Sequence, residues 1–562
     1  MEQMEAYIRY QQWAKATEME PELKKELDEI EGNEEEIFDR FYQDLEFGTA
    51  GMRGIMGAGT NRMNVYTVQR ASAGLALYLL STYGLEAMQR GVVIAYDSRH
   101  KSAEFAREAG LTLNSLGIRV YVFDRITPTP ELSFAVGYRK AIAGIVITAS
   151  HNAKEYNGYK VYNEFGSQIV EEAAEQILEK MSVYQDLSQL PVMLNYQDAV
   201  NQDLYHELGG DYHMAYQKAV LKQSLLNDNA AKDSLKVVYT PLHGAGLKTV
   251  LAVLEKSGFS DISVVPSQKD PDGDFPTVKK PNPEEAEAMQ PALDYAKTLN
   301  ADIVLATDPD SDRLGVAVKD GAEYCLLNGN QTGALLADYV LSQSELPENP
   351  VMIKTVVTSD LGAQIASAHG VEVMNVLTGF KYIGEKMIDF AKKKDHNFVL
   401  GYEESYGYLV GEYAKDKDGV VASMLIAEMA AYYKKQGKTL LDRLQDLYET
   451  YGYYREELEC IVLPGADGKQ RMDEMMQILR AKPFEKVGNE TVTEVKDYNN
   501  EIDGLPKSNV LKYFFGEDGW MAVRPSGTEP KIKFYYSVRS ATMEESKQRI
   551  AALKETVKEF FA

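Results

Sequence analysis

The chain has 562 residues, 44% of them hydrophobic and 26% charged, a composition typical of folded globular domains. This length is too great for one hydrophobic core and predicts three or four domains. The formal charge of −25, from 60 Lys and Arg against 85 Asp and Glu, argues against a broad surface for nucleic acid or anionic membranes. A compact site where a few basic side chains converge could still bind a small anion.

The composition favours a cytoplasmic protein without a membrane span. Only Cys325 and Cys460 are present, which provides neither a disulfide framework nor a cysteine-rich zinc site. The amino-terminal region reads as Glu- and Lys-rich helices up to about Phe41 and contains no apolar segment typical of a signal peptide. No run of about eighteen apolar residues predicts a transmembrane helix.

The first unit alternates strands and helices. Residues 92–96, 120–123 and 144–147 read as strands, with helices at about 65–83 and 103–116, which is the pattern of a βαβ sheet. Before them, residues 47–54 place Arg53 among three glycines, which either allows the backbone to approach a ligand or forms a connector. Arg99 follows the first of these strands.

Ser150 lies in the sequence Thr-Ala-Ser-His-Asn, at the predicted carboxyl end of a buried strand. A hydroxyl there, beside His151 and near Lys160, could accept or donate a group in transfer. The same five residues also suit a polar turn. Because Arg99 follows a strand of the same sheet, we expect it at the same edge and as a substrate-binding residue.

The second unit has strands at about 235–239, 262–265 and 303–306, and the last leads into Thr-Asp-Pro-Asp-Ser-Asp-Arg. Asp308, Asp310 and Asp312 alternate along this loop, and a hard divalent cation would relieve their repulsion. Mg²⁺ fits best, because it accepts a few carboxylates and keeps positions for phosphate or water. An EF-hand fits poorly, since Arg313 stands at the sixth position, where glycine is needed, and Lys319 at the twelfth, where glutamate is needed.

The third unit ends a strand in Gly-Tyr-Glu-Glu-Ser-Tyr-Gly-Tyr, residues 401–408. Glu403 and Ser405 suit the paired hydroxyls of a sugar, with aromatic rings to cover its apolar side. Two glutamates in a loop are also commonly solvated. Lys381, in the nearby sequence Thr-Gly-Phe-Lys, could add a basic contact.

The last part of the chain concentrates anion-binding groups in residues 524–533. Its candidates are Arg524, Ser526, Gly527, Thr528 and Lys533. The arginine guanidinium can donate two parallel hydrogen bonds, and the loop adds hydroxyl and backbone N–H donors. This combination suits binding of a dianionic phosphate better than a purely structural hairpin. Close-spaced strands around it predict a different, α+β domain.

The spacing of the four loops predicts three related mixed α/β domains and a smaller α+β domain around a central cleft. The expected bounds are 1–205 for the serine domain, 206–325 for metal, 326–440 for sugar and 441–562 for phosphate. Such a cleft would combine a nucleophilic hydroxyl, a metal ion, groups that bind sugar hydroxyls and groups that bind phosphate. This combination indicates phosphoryl transfer on a sugar phosphate. Arg313 would offset charge on the transferring group, and His151 or Lys160 would move protons.

Together these motifs resemble the α-D-phosphohexomutase family, over essentially the whole chain and in the family's motif order. Residues 47–54 and 378–381 are most similar to the branch that includes phosphoglucomutase and phosphopentomutase. The resemblance implies Mg²⁺ bound by a phosphorylated Ser150 and the three aspartates, and a glucose 1,6-bisphosphate intermediate. Pro309 and Ser311 stand where glycine is common in the family, and Tyr406 stands where some relatives have glycine and then histidine.

The implied activity interconverts glucose 1-phosphate and glucose 6-phosphate. A phosphopentomutase acting on ribose or deoxyribose 1-phosphate is the nearest alternative. A serine phosphohydrolase is a further alternative, although seven histidines in the chain offer little for the multi-histidine metal site of such an enzyme. A sugar-phosphate sensor without enzymatic activity is another.

Overall fold

The computed structural model describes residues 2–16, 19–48, 51–184, 186–463, 468–526 and 531–561. These residues form four sheets that follow one another along the chain, the first three mixed and the last antiparallel. This arrangement confirms the predicted fold class. Among the described residues, no helix combines the length and the apolar character that crossing a membrane requires.

The first domain contains a seven-stranded sheet in the order β1-β2-β6-β5-β3-β4-β7. Its elements are α1 (Glu2–Ala14), α2 (Pro21–Glu29), α3 (Glu34–Phe41), β1 (Phe47–Gly48), β2 (Gly51–Ile55), α4 (Val65–Tyr83), α5 (Leu85–Arg90), β3 (Val92–Tyr96), α6 (Ser102–Ser115), β4 (Val120–Phe123), α7 (Thr129–Arg139), β5 (Ala143–Ile147), β6 (Tyr156–Tyr162), α8 (Glu171–Met181), α9 (Tyr196–Asn201) and β7 (Tyr205–Leu208). The fully buried, β-branched run of β5 forms a central strand, as predicted. Because β7 pairs with β4, the first sheet continues beyond the predicted boundary at residue 205.

The second domain contains a five-stranded sheet in the order β12-β11-β10-β8-β9. Its elements are α10 (Gly210–Leu221), α11 (Asn229–Asp233), β8 (Val237–Thr240), α12 (Gly246–Ser257), β9 (Ile262–Val264), α13 (Ala286–Leu299), β10 (Ile303–Thr307), β11 (Leu314–Asp320) and β12 (Glu323–Leu327). Strand β10 is parallel to β8 and antiparallel to β11. The aspartate loop is therefore the connection of the β10–β11 hairpin.

The third domain contains a four-stranded sheet in the order β14-β13-β15-β16. Its elements are α14 (Gly329–Gln343), β13 (Pro350–Thr355), α15 (Leu361–Ala368), β14 (Glu372–Val376), α16 (Phe380–Lys393), β15 (Asn397–Glu403), β16 (Gly407–Val410) and α17 (Gly419–Lys435). The loop after Glu403 again joins a strand with a parallel neighbour to an antiparallel one. The loop after β5 has the same position between β5 and β6.

The fourth domain contains a six-stranded antiparallel sheet in the order β17-β22-β21-β20-β19-β18. Helix α18 (Leu440–Tyr451) precedes this domain and packs into the core of the second and third domains. The elements of the fourth domain are β17 (Tyr453–Val462), α19 (Gly468–Ala481), β18 (Lys486–Val487), β19 (Glu490–Asp497), β20 (Leu511–Phe515), β21 (Gly519–Pro525), β22 (Lys531–Ser540) and α20 (Met543–Phe561). Strands β21 and β22 form a hairpin, and the predicted phosphate loop connects them.

Helix α17 joins the second and third domains into one hydrophobic core. It is buried along most of its length and packs against α11 and α12. Its Glu428 carboxylate accepts hydrogen bonds from Leu225 N at 2.8 Å and from Lys232 Nζ at 2.9 Å. This shared core fixes the aspartate loop relative to the Glu403 loop.

Candidate active site

A cleft of about 710 Å³ lies where the four predicted loops meet. The predicted site residues that line it are Arg53, Ser150, His151, Lys160, Asp312, Arg313, Lys381, Glu403, Ser405, Arg524 and Lys533. Among its described lining residues, nine are Lys or Arg and seven are Asp or Glu, although the whole chain has 60 basic against 85 acidic residues. The cleft is thus locally basic in an acidic protein, as an anionic ligand requires.

Ser150 is buried at the floor of this cleft in a left-handed conformation with a φ of 52°. That conformation costs a residue with a β-carbon about 1–2 kcal/mol, so surrounding contacts must hold it. The Ser150 backbone N–H donates to Thr148 Oγ1 at 2.7 Å. Its Oγ donates to Asp308 Oδ2 at 2.7 Å and lies 3.1 Å from His151 Nδ1. The hydroxyl therefore faces the aspartate loop directly.

Arg99, which was predicted to bind substrate, is not among the described residues that line the cleft. Its guanidinium is buried beneath the serine loop, with Nη2 donating to Ser150 O at 2.6 Å and to Asn152 O at 2.5 Å. Nη1 donates to two further carbonyl groups of the same loop. Asp97 lies 3.3 Å from Arg99 Nε and offsets its charge. Arg99 therefore holds the serine loop in its conformation from the buried side of the loop.

Asp308, Asp310 and Asp312 form a buried cluster in which one oxygen from each lies within 4.8 Å of the others. Asp310 Oδ1 and Asp312 Oδ1 are buried without a hydrogen-bond partner. Burial raises the pKa of Asp308, and the charges of Asp310 and Asp312 raise it further. Such a cluster of repelling carboxylates with unsatisfied oxygens could hold a divalent cation.

Two lysines form ion pairs with this aspartate cluster. Lys160 Nζ lies 2.8 Å from Asp310 Oδ2 and 3.5 Å from Asp312 Oδ2. Burial disfavours its charge, but these carboxylates raise its pKa, so Lys160 is protonated. Lys417 Nζ lies 3.1 Å from Asp312 Oδ2 and 3.2 Å from Asp416 Oδ1. Sequence reasoning missed Lys417, because its alternating Asp-Lys-Asp context is also typical of a solvated turn.

His151 and Arg313 complete the floor of the cleft. Burial lowers the pKa of His151 well below its usual value, and the charges of Arg313 and Arg53 lower it further, so the imidazole is neutral at pH 7. Arg313 Nη1 donates to Glu284, a second cleft residue that the sequence did not reveal. Arg53 Nη1 donates to Asn152 Oδ1 at 3.1 Å, so Arg53 contacts the serine loop from the cleft side.

The third domain supplies the wall that was predicted to bind sugar. Glu403 Oε1 accepts a hydrogen bond from Gly379 N at 2.8 Å, which brings the two predicted segments of this domain together. Burial raises the pKa of Glu403 to about 7, although the nearby Lys417 opposes the shift. Lys381 Nζ lies 2.8 Å from Glu171 Oε1, so this predicted substrate contact already pairs with a carboxylate of the first domain.

The fourth domain places Arg524 and Lys533 side by side. They are paired residues of β21 and β22, and both line the cleft. Burial lowers the pKa of Lys533, and the charge of Arg524 lowers it further. Ser526 N donates to Lys531 O at 2.8 Å at the start of the loop. The remaining predicted phosphate contacts, Gly527 and Thr528, lie outside the described residues.

Four models of one protein family match successive segments that make up most of the chain. The α/β/α domains I, II and III of phosphoglucomutase/phosphomannomutase match residues 44–187, 214–321 and 328–451, and the C-terminal domain of that family matches residues 476–553. The chain therefore belongs to the phosphoglucomutase/phosphomannomutase family. Membership makes it an isomerase of the phosphosugar mutase class.

Individual relatives extend this result. The chain is 38% identical over 525 residues to a phosphoglucomutase of Staphylococcus haemolyticus, covering 91% of this chain and 93% of that one. It is 39% identical over 509 residues to a phosphoglucomutase of Staphylococcus epidermidis, covering 88% and 90%. Among solved structures, parafusin (phosphoglucomutase) from Paramecium superimposes with a TM-score of 0.67 at 18% identity, covering 92% of this chain and 94% of that one. At that identity the superposition supports the fold alone.

Proposed function

We propose that the protein acts as a phosphoglucomutase, interconverting glucose 1-phosphate and glucose 6-phosphate through a phosphorylated Ser150 and glucose 1,6-bisphosphate. The observation that carries this proposal is Ser150 Oγ, 2.7 Å from Asp308 Oδ2 at the floor of a cleft that all four domains line. The staphylococcal relatives named phosphoglucomutase support a hexose phosphate over a pentose phosphate as substrate.

The three aspartates and the phosphorylated Ser150 would hold a Mg²⁺ ion. Oxygen ligands alone, carried by carboxylates in one short loop, fit that hard cation. The buried oxygens of Asp310 and Asp312 that lack hydrogen-bond partners support this assignment. When bound, the cation would act as a Lewis acid on a phosphoryl oxygen.

In the transfer step, the bond between phosphorus and Ser150 Oγ breaks while a bond forms between phosphorus and the free hydroxyl oxygen of the sugar. The sugar hydroxyl loses a proton and Ser150 Oγ gains one, so no proton is consumed. His151 is neutral and 3.1 Å from Ser150 Oγ, which suits it to exchange that proton. Lys160 and Arg313 remain charged and stabilise the phosphoryl oxygens.

The other two domains would hold the sugar and its second phosphate. Glu403 and Ser405 accept hydrogen bonds from sugar hydroxyls, and Lys381 and Arg53 line the approach to the floor. The phosphate anchor comprises Arg524, Ser526, Gly527, Thr528 and Lys533. Because the anchor belongs to a different domain from Ser150, it would hold one phosphate while the other is transferred, and glucose 1,6-bisphosphate would turn round to return its other phosphate to the serine.

The decisive experiment combines phosphosite mapping with a substrate panel. We expect the purified protein to carry phosphate on Ser150, and we expect Ser150→Ala to lose both the phosphate and the turnover of glucose 1-phosphate. A phosphate on another residue, or full turnover by Ser150→Ala, would refute the covalent mechanism.

The same panel tests the alternatives. A rate with ribose 1-phosphate far above the rate with glucose 1-phosphate would replace the hexose assignment with a phosphopentomutase. Release of inorganic phosphate faster than isomer formation would instead favour a phosphohydrolase.

The proposal gives each domain one chemical role, with boundaries near residues 209, 328 and 452. Both cysteines, Cys325 and Cys460, are exposed free thiols, which supports the proposal of a cytoplasmic location.

A further inference from the structure

Arg313 is held at one end by a carboxylate outside the aspartate loop. Its Nη1 donates to Glu284 Oε1, and its backbone N–H donates to Asp308 Oδ1 at 3.0 Å. Its Nε is buried without a hydrogen-bond partner and lies 4.0 Å from Asp312 Oδ1. One terminal nitrogen of the guanidinium, Nη1, is therefore bonded to a carboxylate, while the neighbouring Nε–H has no hydrogen-bond acceptor.

The loop that carries Glu284 is built to keep this carboxylate in place. Pro281 and Pro283 restrict the backbone on either side of Asn282, whose Oδ1 accepts a hydrogen bond from Glu284 N at 3.1 Å. Pro283 packs closely on Gly315 of β11, where an added β-carbon would approach the Pro283 Cβ to 2.7 Å. Glu284 is thus fixed to the strand that begins just after Arg313.

We propose that Glu284 is a positioning residue, which orients the Arg313 guanidinium toward the transferring phosphoryl group and competes with phosphate for its charge. A buried arginine needs a counter-ion. Because the guanidinium is planar, a carboxylate that fixes one of its nitrogens also fixes the direction in which the other N–H groups point. The role in transfer rests on the proposed function. It predicts two opposite effects of removing the carboxylate, weaker catalysis and tighter binding of anions.

The test is Glu284→Gln, which keeps the side-chain shape and removes its charge. The matched control is Glu287→Gln, the same charge change at an exposed position on α13, outside the cleft. We expect Glu284→Gln to lower kcat about tenfold, equivalent to about 1.4 kcal/mol. The KM for glucose 1-phosphate and the Kd for inorganic phosphate, measured by calorimetry, should both fall several-fold. The control should leave all three unchanged.

A merely structural role gives a different pattern, in which the melting temperature falls and KM rises. That pattern, or values of kcat and phosphate Kd within twofold of the control, would overturn the proposal. In an Arg313→Met background, Glu284→Gln should lower kcat no further, and a full additional tenfold loss would also overturn it. If Glu284→Gln does not fold, Glu284→Asp substitutes for it, because Asp keeps the charge but shortens the side chain. We then expect lower kcat with unchanged phosphate affinity, and unchanged kcat would refute the inference.

Failure of the proposed function has a separate signature. If the unaltered protein isomerises no hexose phosphate, the phosphoglucomutase assignment fails. Binding of inorganic phosphate needs no turnover, so its response to Glu284→Gln still tests the competition between this carboxylate and phosphate for Arg313.

Discussion

Replacing Arg99 by lysine should uncouple the rate of the reaction from the binding of its substrate. Arg99 donates to four carbonyl groups of the serine loop, those of Ser150, Asn152, Ala153 and Tyr156, at 2.5–3.1 Å. One lysine nitrogen can reach about two of them at once. At about 1–3 kcal/mol for each buried carbonyl left unpaired, the free energy of unfolding should fall by about 2–6 kcal/mol.

Loss of this support should also displace Ser150 from its left-handed conformation. A displacement of about 1 Å at a reacting group costs about a hundredfold in rate, so we expect kcat of Arg99→Lys to fall by about that factor. The KM should stay near its original value, because the Arg99 side chain is buried away from the cleft.

The assay compares steady-state kinetics with glucose 1-phosphate and urea unfolding for two variants. Arg53→Lys is the matched partner, because Arg53 lines the cleft and touches the same loop through Asn152 Oδ1. We expect Arg53→Lys to raise KM and Arg99→Lys to lower kcat. A raised KM with unchanged kcat in Arg99→Lys would refute the reasoning and restore Arg99 as a substrate contact.

Two further predictions concern metal binding and pH. Asp310→Asn should weaken binding of a divalent cation about tenfold or more in calorimetry, because it removes a charged ligand from the cluster, and unchanged affinity would contradict the metal assignment. Burial lowers the pKa of Lys512 to about 7, with Lys354 adding to the shift. Between pH 7 and about 10 the unfolded chain therefore binds more protons than the folded one, so the free energy of unfolding should rise with pH. Lys512→Met should flatten that rise in urea titrations, and an equal slope in both proteins would show that Lys512 is not responsible.

The sequence predicted the three α/β units because their buried strands are short β-branched runs bounded by turn residues. It missed β7, since Tyr205–Leu208 is an edge strand with mixed burial and no apolar run. It also separated the second and third domains, whereas helix α17 (Gly419–Lys435) gives them one core. Packing between elements so distant in the chain leaves no local pattern to recognise.

The candidate site was predicted to the extent that its residues lie in the loops that follow central strands. Ser150 and the three aspartates are local in sequence, and their loops occupy the same place in each domain's sheet. Lys417 and Glu284 were missed because their partners lie in other segments, Asp312 and Arg313. For Arg99, the sequence indicated the correct edge of the sheet, but the direction of its side chain depends on where the loop carbonyls fold.

In this basic cleft of an acidic protein, carboxylates pair with several of the cations that line it. Four lining bases each contact a carboxylate, in the pairs Lys160–Asp310, Lys417–Asp312, Arg313–Glu284 and Lys381–Glu171. An isolated buried charge is costly, so these pairs keep the bases charged in the folded protein. An incoming phosphate must therefore compete with carboxylates for the same donors. Since the Lys381–Glu171 pair joins the third domain to the first, a phosphate that bound Lys381 would also alter the contact between these two domains.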